Sequence, residues 1–460
     1  MRQIWFFLSL CLAVCSSQDE SGRDSSVCIS NNPLRIKCEC EPHGSVNCQH
    51  KSIHNIDEQL HIPDDTTFLD LSRNEIITVP SNLFSNVNNL KELYLSRNLI
   101  GKISSNAWFG ALAELELLDL SHNRLSELTS TTFQGLIRLR TLNLGNNYFT
   151  TLPAYVFIPV PNLEVLDISS THGIDALEPD SLVNCKQLTS LNLANCSIEH
   201  LPPNFFKDTH SLNSLSLANN SFDQIPNEEL SLIRSTLTVL DLSGLHITDI
   251  HNHDFFGFHA LRMLKINQMP FLERVEVLAF SSLTSLQRLD MQDNPHLHYI
   301  DPQAFYRTID GQLKNTPKEI YLANNNLTFI SGSMFYPWEI DVLDLSGNPL
   351  ECDCNLEWIN HLPEVIDNID SLICHGPAEL KDEPVVMMSV INRDCAVGPG
   401  FGVLFSIIIG MFCMIIIVSM LGLLYTKLIR TYYPNAPDLN ELYQKSRSTF
   451  GYQRVTRSQS

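Results

Sequence analysis

Positive charge is scarce in this sequence: 30 Lys and Arg stand against 51 Asp and Glu, a formal balance of −21. Part of it is gathered at one end, where Lys427, Arg430, Lys445, Arg447, Arg454 and Arg457 face only Asp438 and Glu441. The remainder is therefore more acidic than the whole. A surface of that sign argues against nucleic acid and anionic lipid as partners; it favours a basic partner, or serves solubility alone. Signatures of catalysis are missing too. There is no Gly-rich phosphate loop, no Gly-x-Ser-x-Gly elbow and no His-Glu-x-x-His, which speaks for a non-enzymatic protein without a cofactor.

Long apolar runs are equally rare, and the two present differ in meaning. Ile4–Val14 follows Met1 and Arg2 and ends in Cys15, Ser16 and Ser17. A positive start, a short apolar core and a small-residue exit describe a secretory signal peptide, expected over 1–17. Phe401–Tyr425 holds no charge. As a helix, at about 1.5 Å per residue, it exceeds the ~30 Å hydrocarbon core of a bilayer, so a transmembrane helix is expected over 399–425. The basic residues beyond it belong in the cytoplasm. With the signal peptide, this predicts a single-pass type I plasma-membrane protein whose N-terminus is extracellular. The tail, 426–460, is short and polar and reads as disordered. Within it Tyr452 and Val455 frame a tyrosine-based sorting signal, and Thr456 and Ser458 lie among arginines as phosphorylation candidates.

Between these ends one unit is written many times, over 66–348. The clearest copies are Leu90–Asn98, Leu115–Asn123, Leu139–Asn147 and Leu212–Asn220, all matching L-x-x-L-x-L-x-x-N. Divergent copies stand in register at Leu163, Leu188, Leu237, Leu261 and Leu286, and later ones centre on Ile320 and Leu343. Counted from Leu69 and Leu71, this makes about twelve turns. A period of roughly 24 residues with this motif is the signature of a leucine-rich repeat. The alternation x-L-x-L-x puts both leucines on one face of a short strand. A single copy cannot bury them, but stacked copies form a parallel sheet over a continuous core. The Asn follows where the chain leaves the strand, and its amide can both donate to and accept from backbone groups there. A second apolar series, Phe84–Val87–Leu90, Phe109–Leu112–Leu115, Phe133–Leu136–Leu139 and Phe280–Leu283–Leu286, is expected to close the core from the convex side. The fold class is thus an α/β leucine-rich-repeat solenoid: a curved parallel sheet on the concave face, and short helical, 3-10 or irregular segments on the convex one.

A solenoid exposes its core at both ends. Before the repeats, over 18–65, stand Cys28, Cys38, Cys40 and Cys48; after them, over 349–398, stand Cys352, Cys354, Cys374 and Cys395. Even cysteine counts in an exported chain favour disulfides over zinc. Repeats joined to Asn348-Pro349-Leu350-Glu351-Cys352-Asp353-Cys354 and two later cysteines resemble the extracellular leucine-rich-repeat superfamily with its cysteine-bounded flanking modules. The layout is similar to single-pass adhesion and receptor proteins of the Tartan, Capricious and Connectin kind. That resemblance implies the pairs Cys28–Cys40, Cys38–Cys48, Cys352–Cys374 and Cys354–Cys395. Cys185 takes an outer-arc apolar position and Cys196 a ladder-Asn position, so both are expected inside, as thiols or as a disulfide.

Candidate sites follow from the period. Mid-strand positions read Asp70, Tyr94, Asp119, Asn143, Asp167, Asn192, Ser216, Asp241, Lys265, Asp290, Tyr321 and Asp344. On a stacked sheet they form one row about 4.8 Å apart. Its carboxylates would steer a basic ligand; equally, Leu-Asp-Leu-Ser is a common spelling of the repeat whatever the ligand. The ladder Asn gives way to Thr171, Cys196, Leu245 and Met269, as tolerance within the ladder or as irregularity that shapes a binding face. About seven extra residues within Tyr306–Pro317 predict a projecting loop. His251, His253 and Asp254 are a weak metal candidate. Asn195, Asn219 and Asn326 begin Asn-x-Ser/Thr sequons, whose glycans would mask the edge they stand on. The function expected is cell-surface recognition or adhesion through an extracellular protein partner, basic or homophilic. The alternatives are a co-receptor signalling through its tail and an organiser of extracellular matrix.

Overall fold

The computed structural model describes residues 38–432, apart from 42–43, 57–61, 82, 105–106, 109–111, 172, 175, 307, 310–311, 314–315, 335–338, 362–363, 368 and 386–398. The chain divides into two units, Met1–Ser389 and Val390–Ser460. The signal peptide expected from the sequence and the tail beyond Tyr432 lie outside the described residues. Residues 426–432, expected to begin a disordered tail, instead continue a helix, because the helical hydrogen bonds run on past the apolar stretch.

The first unit is built on a 14-stranded sheet. Glu39–Glu41 and Ser45–Asn47 form an antiparallel hairpin, and Ser45–Asn47 then pairs in parallel with Phe68–Asp70. From there every repeat adds one three-residue strand, ending at Val342–Asp344, and all pair in parallel. Setting the cap hairpin's two aside leaves twelve repeat strands, which bound eleven complete turns, close to the sequence count. Each strand keeps its central leucine or isoleucine buried, as Leu93, Leu118, Leu142 and Ile320 show. Burying one such side chain stabilises by about 1.5–3 kcal/mol, and one continuous cluster runs from Cys38 to Val385.

Across the core, two-residue strands make smaller parallel ladders. Thr78–Val79 pairs with Lys102–Ile103, Thr151–Leu152 with Ala176–Leu177, and Asp249–Ile250, Arg274–Val275 and Tyr299–Ile300 form a third. Aromatic rings stack from turn to turn on this side, with centroids 6.0 Å apart for Phe133 and Phe157 and 5.0 Å for Phe280 and Phe305. The outer series was expected to use Phe109, which lies outside the described residues. Trp108 is the ring that stacks on Phe84, at 6.1 Å, and its Nε1 donates to the Thr132 carbonyl at 2.8 Å.

The ladder asparagines do what the motif predicts. Asn98 donates from Nδ2 to the carbonyls of Leu71 and Leu95, both at 3.0 Å, and accepts the Ile76 N–H at 3.1 Å. Asn123, Asn147, Asn325 and Asn348 likewise donate to their own turn and to the preceding one. Between Asp290 and Tyr321 the extra residues include an antiparallel hairpin, Thr308–Ile309 with Gln312–Leu313, where the sequence predicted a loop.

Cys38 is bonded to Cys48 and Cys352 to Cys374. Cys354 is also disulfide-bonded. Cys28, Cys395 and the side chain of Cys40 lie outside the described residues. Cys185 and Cys196 are buried free thiols.

Among its described residues the second unit holds one helix, Pro399–Tyr432. Its 34 residues make roughly 50 Å at the α-helical rise. The stretch Ile409–Leu428 is long and apolar enough to cross a membrane.

Candidate recognition surface

The sheet register puts the mid-strand residues in one row. Asp70 pairs with Tyr94, Tyr94 with Asp119, Asp167 with Asn143 and Asn192, Asp241 with Ser216 and Lys265, and Asp290 with Lys265 and Tyr321. The row expected from the sequence therefore exists, and its chemistry follows from where each strand ends.

Most of its aspartates turn one oxygen to their own backbone. Asp119 accepts the Ser121 N–H at 2.9 Å, Asp167 that of Ser169 at 2.8 Å, Asp241 that of Ser243 at 3.0 Å and Asp344 that of Ser346 at 3.0 Å. Asn143 and Asn192 do the same for Gly145 and Ala194. This is a side-chain-capped turn, and it explains why Asp and Asn recur there. The second oxygens of Asp119 and Asp241 make no hydrogen bond to a described residue, so half of each carboxylate faces outward.

The two ends of the row differ. Asp70 is buried and occupied by Gln49 Nε2 and the Ser72 N–H, while Phe68 and Tyr94 pack at 5.4 Å beside it. The Tyr94 hydroxyl donates to Glu92 at 3.0 Å; burial, then that carboxylate, push its pKa up to about 12. Asp290 is buried too. Arg288 reaches it at 2.8 Å, reaches Glu319 at 3.1 Å, and lies 4.3 Å over the Tyr321 ring. These are closed side-chain clusters. Of the seven residues named from the sequence for ligand contact, Asp119 and Asp241 are half-buried with one oxygen free, and Asp167 is half-buried with its second oxygen bonded to Asn192 Nδ2 at 3.2 Å. Tyr94 and Tyr321 are half-buried, and Asp70 and Asp290 are withdrawn.

Asn219 and Asn326 are exposed. Asn195 is half-buried, its Nδ2 3.3 Å from Ser170 Oγ. Cys196 stands in the ladder with its thiol 3.4 Å from the Ile168 carbonyl, and Thr171 Oγ1 accepts the Asn147 N–H at 3.5 Å. Tyr452 and Val455 lie outside the described residues.

The histidine stretch lines a groove of about 760 Å³ with Asp223, Glu228 and Asp249. His251 and His253 stack at 5.6 Å, but their donors do not converge. His251 Nδ1 is bonded to Glu276 at 2.9 Å, and buried Asp254 accepts the His251 N–H at 2.7 Å. Among the described residues no group of three ligating side chains could hold a metal ion.

Comparison with known proteins agrees with the repeat. A family model described as leucine rich repeat matches residues 66–125, 113–172 and 186–236, and one described as BspA type leucine rich repeat region matches 233–349. Osteomodulin of Rattus norvegicus is 31% identical over 303 residues, 64% of this chain and 59% of the relative. Tsukushi of Gallus gallus is 26% identical, covering 53% and 59%. A probable glycoprotein hormone G-protein coupled receptor of Anthopleura elegantissima is 25% identical, covering 56% and 28%. The chain thus spans less than two thirds of each of these relatives. Among solved structures, the TLR13–ssRNA13 complex has a TM-score of 0.57 at 24% identity, covering 70% of this chain and 50% of that one. A leucine-rich-repeat protein of Leptospira interrogans has a TM-score of 0.51 at 21% identity, covering 69% and 82%. These two likenesses concern the fold alone.

Proposed function

Because the chain belongs to the leucine-rich-repeat superfamily, we propose that it is a non-enzymatic cell-surface recognition or adhesion protein, anchored by one membrane helix and engaging a protein partner through the face of its repeat sheet. The carrying observation is the mid-strand row, in which half-buried Asp119 and Asp241 each keep one oxygen free of any hydrogen bond to a described residue, with half-buried Asp167, its second oxygen shared with Asn192 at 3.2 Å, between them. Charges spaced in this way select a basic counterpart and set its register. The apolar stretch Ile409–Leu428 supplies the anchor, with the repeats outside the cell. A disulfide near each end of the repeat region fits an oxidising compartment. The exposed sequons Asn219 and Asn326 keep the partner off the edge on which they stand.

A cell-mixing assay tests the reading. Full-length protein displayed on non-adherent cells should make those cells clump with one another or capture cells bearing a basic partner. Replacing Asp119, Asp167 and Asp241 together by Asn keeps the backbone cap seen at Asn143 and Asn192. With Ser121, Ser169 and Ser243 changed to Ala so that no Asn-x-Ser sequon arises, and the three Ser→Ala changes alone as control, it should abolish the contact. Clumping that survives the triple replacement would move the contact off the row. Failure of displayed protein to reach any cell would remove adhesion as the function.

A further inference from the structure

We propose that the first turns of the repeat region bind a sulfated polysaccharide, through Arg73, Arg97 and His122 in a line with Arg124 and Tyr148 at its end. The inference goes beyond the protein partner above and rests on that reading only in setting the repeats outside the cell.

It starts from the backbone. The residue before each ladder asparagine has positive φ and donates its N–H to the next turn: Arg73 to Ser96 at 2.9 Å, Arg97 to Ser121 at 3.0 Å and His122 to Gly145 at 2.8 Å. The side chains at this position therefore line one edge, one per turn, about 5 Å apart. Elsewhere along the edge the position holds Asn146, Asn195, Asn219, Gly244, Asp293, Asn324 and Gly347, residue types a left-handed backbone favours, and also the uncharged Ser170 and Gln268. Three successive turns instead hold Arg, Arg and His. His50 in the cap, also at positive φ, extends the line, its Nε2 3.5 Å from Arg73. A left-handed backbone accommodates the histidine but does not ask for the two arginines, which stay free for another interaction.

Charge pairing within the chain does not. Arg138, Arg140, Arg274 and Arg288 each hold a carboxylate. Arg73, Arg97 and Arg124 are exposed, and none makes an ion pair with a described residue. Of the acids nearest in sequence, Asp70 is committed to Gln49 and the Ser72 N–H and Glu75 to His54 at 2.7 Å, while Asp119 gives one oxygen to the Ser121 N–H. Burial and the neighbouring Arg97 hold His122 below its usual range, with Asp119 opposing. The line ends at a hollow of about 310 Å³ between His122, Arg124, Tyr148 and Ser170, over which Tyr148 is 66% exposed.

The ligand class follows from what this edge offers. A peptide would add a strand or fill apolar pockets, but the N–H groups here are already bonded to the next turn and the hollow is walled by polar groups. A single-stranded nucleic acid binds over successive stacking rings, whereas the hollow presents one, Tyr148. Guanidinium forks suit bidentate contact with oxyanions, while hydroxyl and amide groups and one flat ring suit a sugar. A linear chain of sugars carrying sulfates meets all three demands.

The test uses the full-length protein in detergent and heparin as the probe. The variant replaces Arg73, Arg97 and His122 by Asn, the residue that holds the same φ at 146, 195, 219 and 324, and its unfolding midpoint checks the fold. Heparin should bind the parent protein, and the triple variant should bind roughly ten-fold or more weakly, with a salt slope lower by about two, one for each arginine. Desulfated heparin should not bind, and Gln268→Asn, further along the same edge, should leave binding unchanged. No binding by the parent protein, or equal binding by the triple variant, overturns the proposal. So does tighter binding of polyglutamate or polyuridylate through the same three residues. Because the measurement needs only purified protein, a failed cell-mixing assay leaves it readable.

Discussion

The side-chain oxygen of Asn220 accepts two backbone N–H groups of the preceding turn, Cys196 at 3.1 Å and Ile198 at 3.0 Å. Its Nδ2 donates to Leu193 and Leu217, both at 2.8 Å. One buried amide thus closes two turns, and it does so beside a turn whose own ladder position is a thiol. Replacing Asn220 by Ala strands several buried backbone groups, each worth about 1–3 kcal/mol. The expected loss is about 3 kcal/mol or more in denaturant unfolding of the repeat unit. Cys196→Asn should act the other way, adding donors for Ile168 and Leu193 and raising stability by about 1 kcal/mol. A loss of stability in C196N would mean that the ladder is shaped around sulfur at this turn.

Burial pushes the Cys185 thiol up to about 12 and the Cys196 thiol up to about 11. Thiolate is the reactive form, so neither residue should label with an alkylating reagent at pH 8 in the folded protein, and both should label in denaturant. Peptide mapping by mass spectrometry checks this. Labelling of either site without denaturant would reveal local opening of its turn.

The Cys352–Cys374 bond closes a segment of 22 residues beside the last repeat strands. Chain entropy gives such a closure roughly 3 kcal/mol. Replacing both cysteines by Ser should lower the unfolding midpoint and reduce delivery to the cell surface, read by surface biotinylation. An unchanged midpoint would show that packing of Leu350, Leu356 and Leu372, together with the disulfide of Cys354, holds this end.

The hydrogen bond from His251 to Glu276 holds the imidazole above its ordinary pKa of 6.5. A group whose folded pKa is raised contributes fully below its unfolded value and loses that contribution as pH rises through the folded one. The midpoint should therefore fall across a window that opens near pH 6.5, and the fall should be shallower in His251→Gln and in Glu276→Gln. The pair is partly exposed and screened, so the effect is small; parallel curves for parent and variants would show that the pair makes no contribution.

What could be read from the sequence was what repeats. Leu93 and Leu95, Asn98 and the row from Asp70 to Asp344 are dictated within one turn and copied, so pattern alone located them. What escaped depends on geometry between turns. The stacking of Trp108 on Phe84 is one such contact, which the repeat pattern did not single out. The aspartate row read as open charge, yet its carboxylates are first of all turn caps, as Asp119 shows. The line of Arg73, Arg97 and His122 could have been seen by reading down the column before the ladder asparagine, where Ser-Arg-Asn, Ser-Arg-Asn and Ser-His-Asn give way to Gly-Asn-Asn. A balance of −21 over the whole chain conceals it.

The hairpin between Arg288–Asp290 and Glu319–Tyr321 leaves the sheet as though nothing had been inserted: Asp290 meets Tyr321 in the same register that joins Lys265 to Asp290. Length at that point is independent of the scaffold. A reporter peptide or a second binding loop could be grafted between Thr308 and Leu313 while the turns on either side stay closed, which makes this the natural port for adding cargo to the molecule.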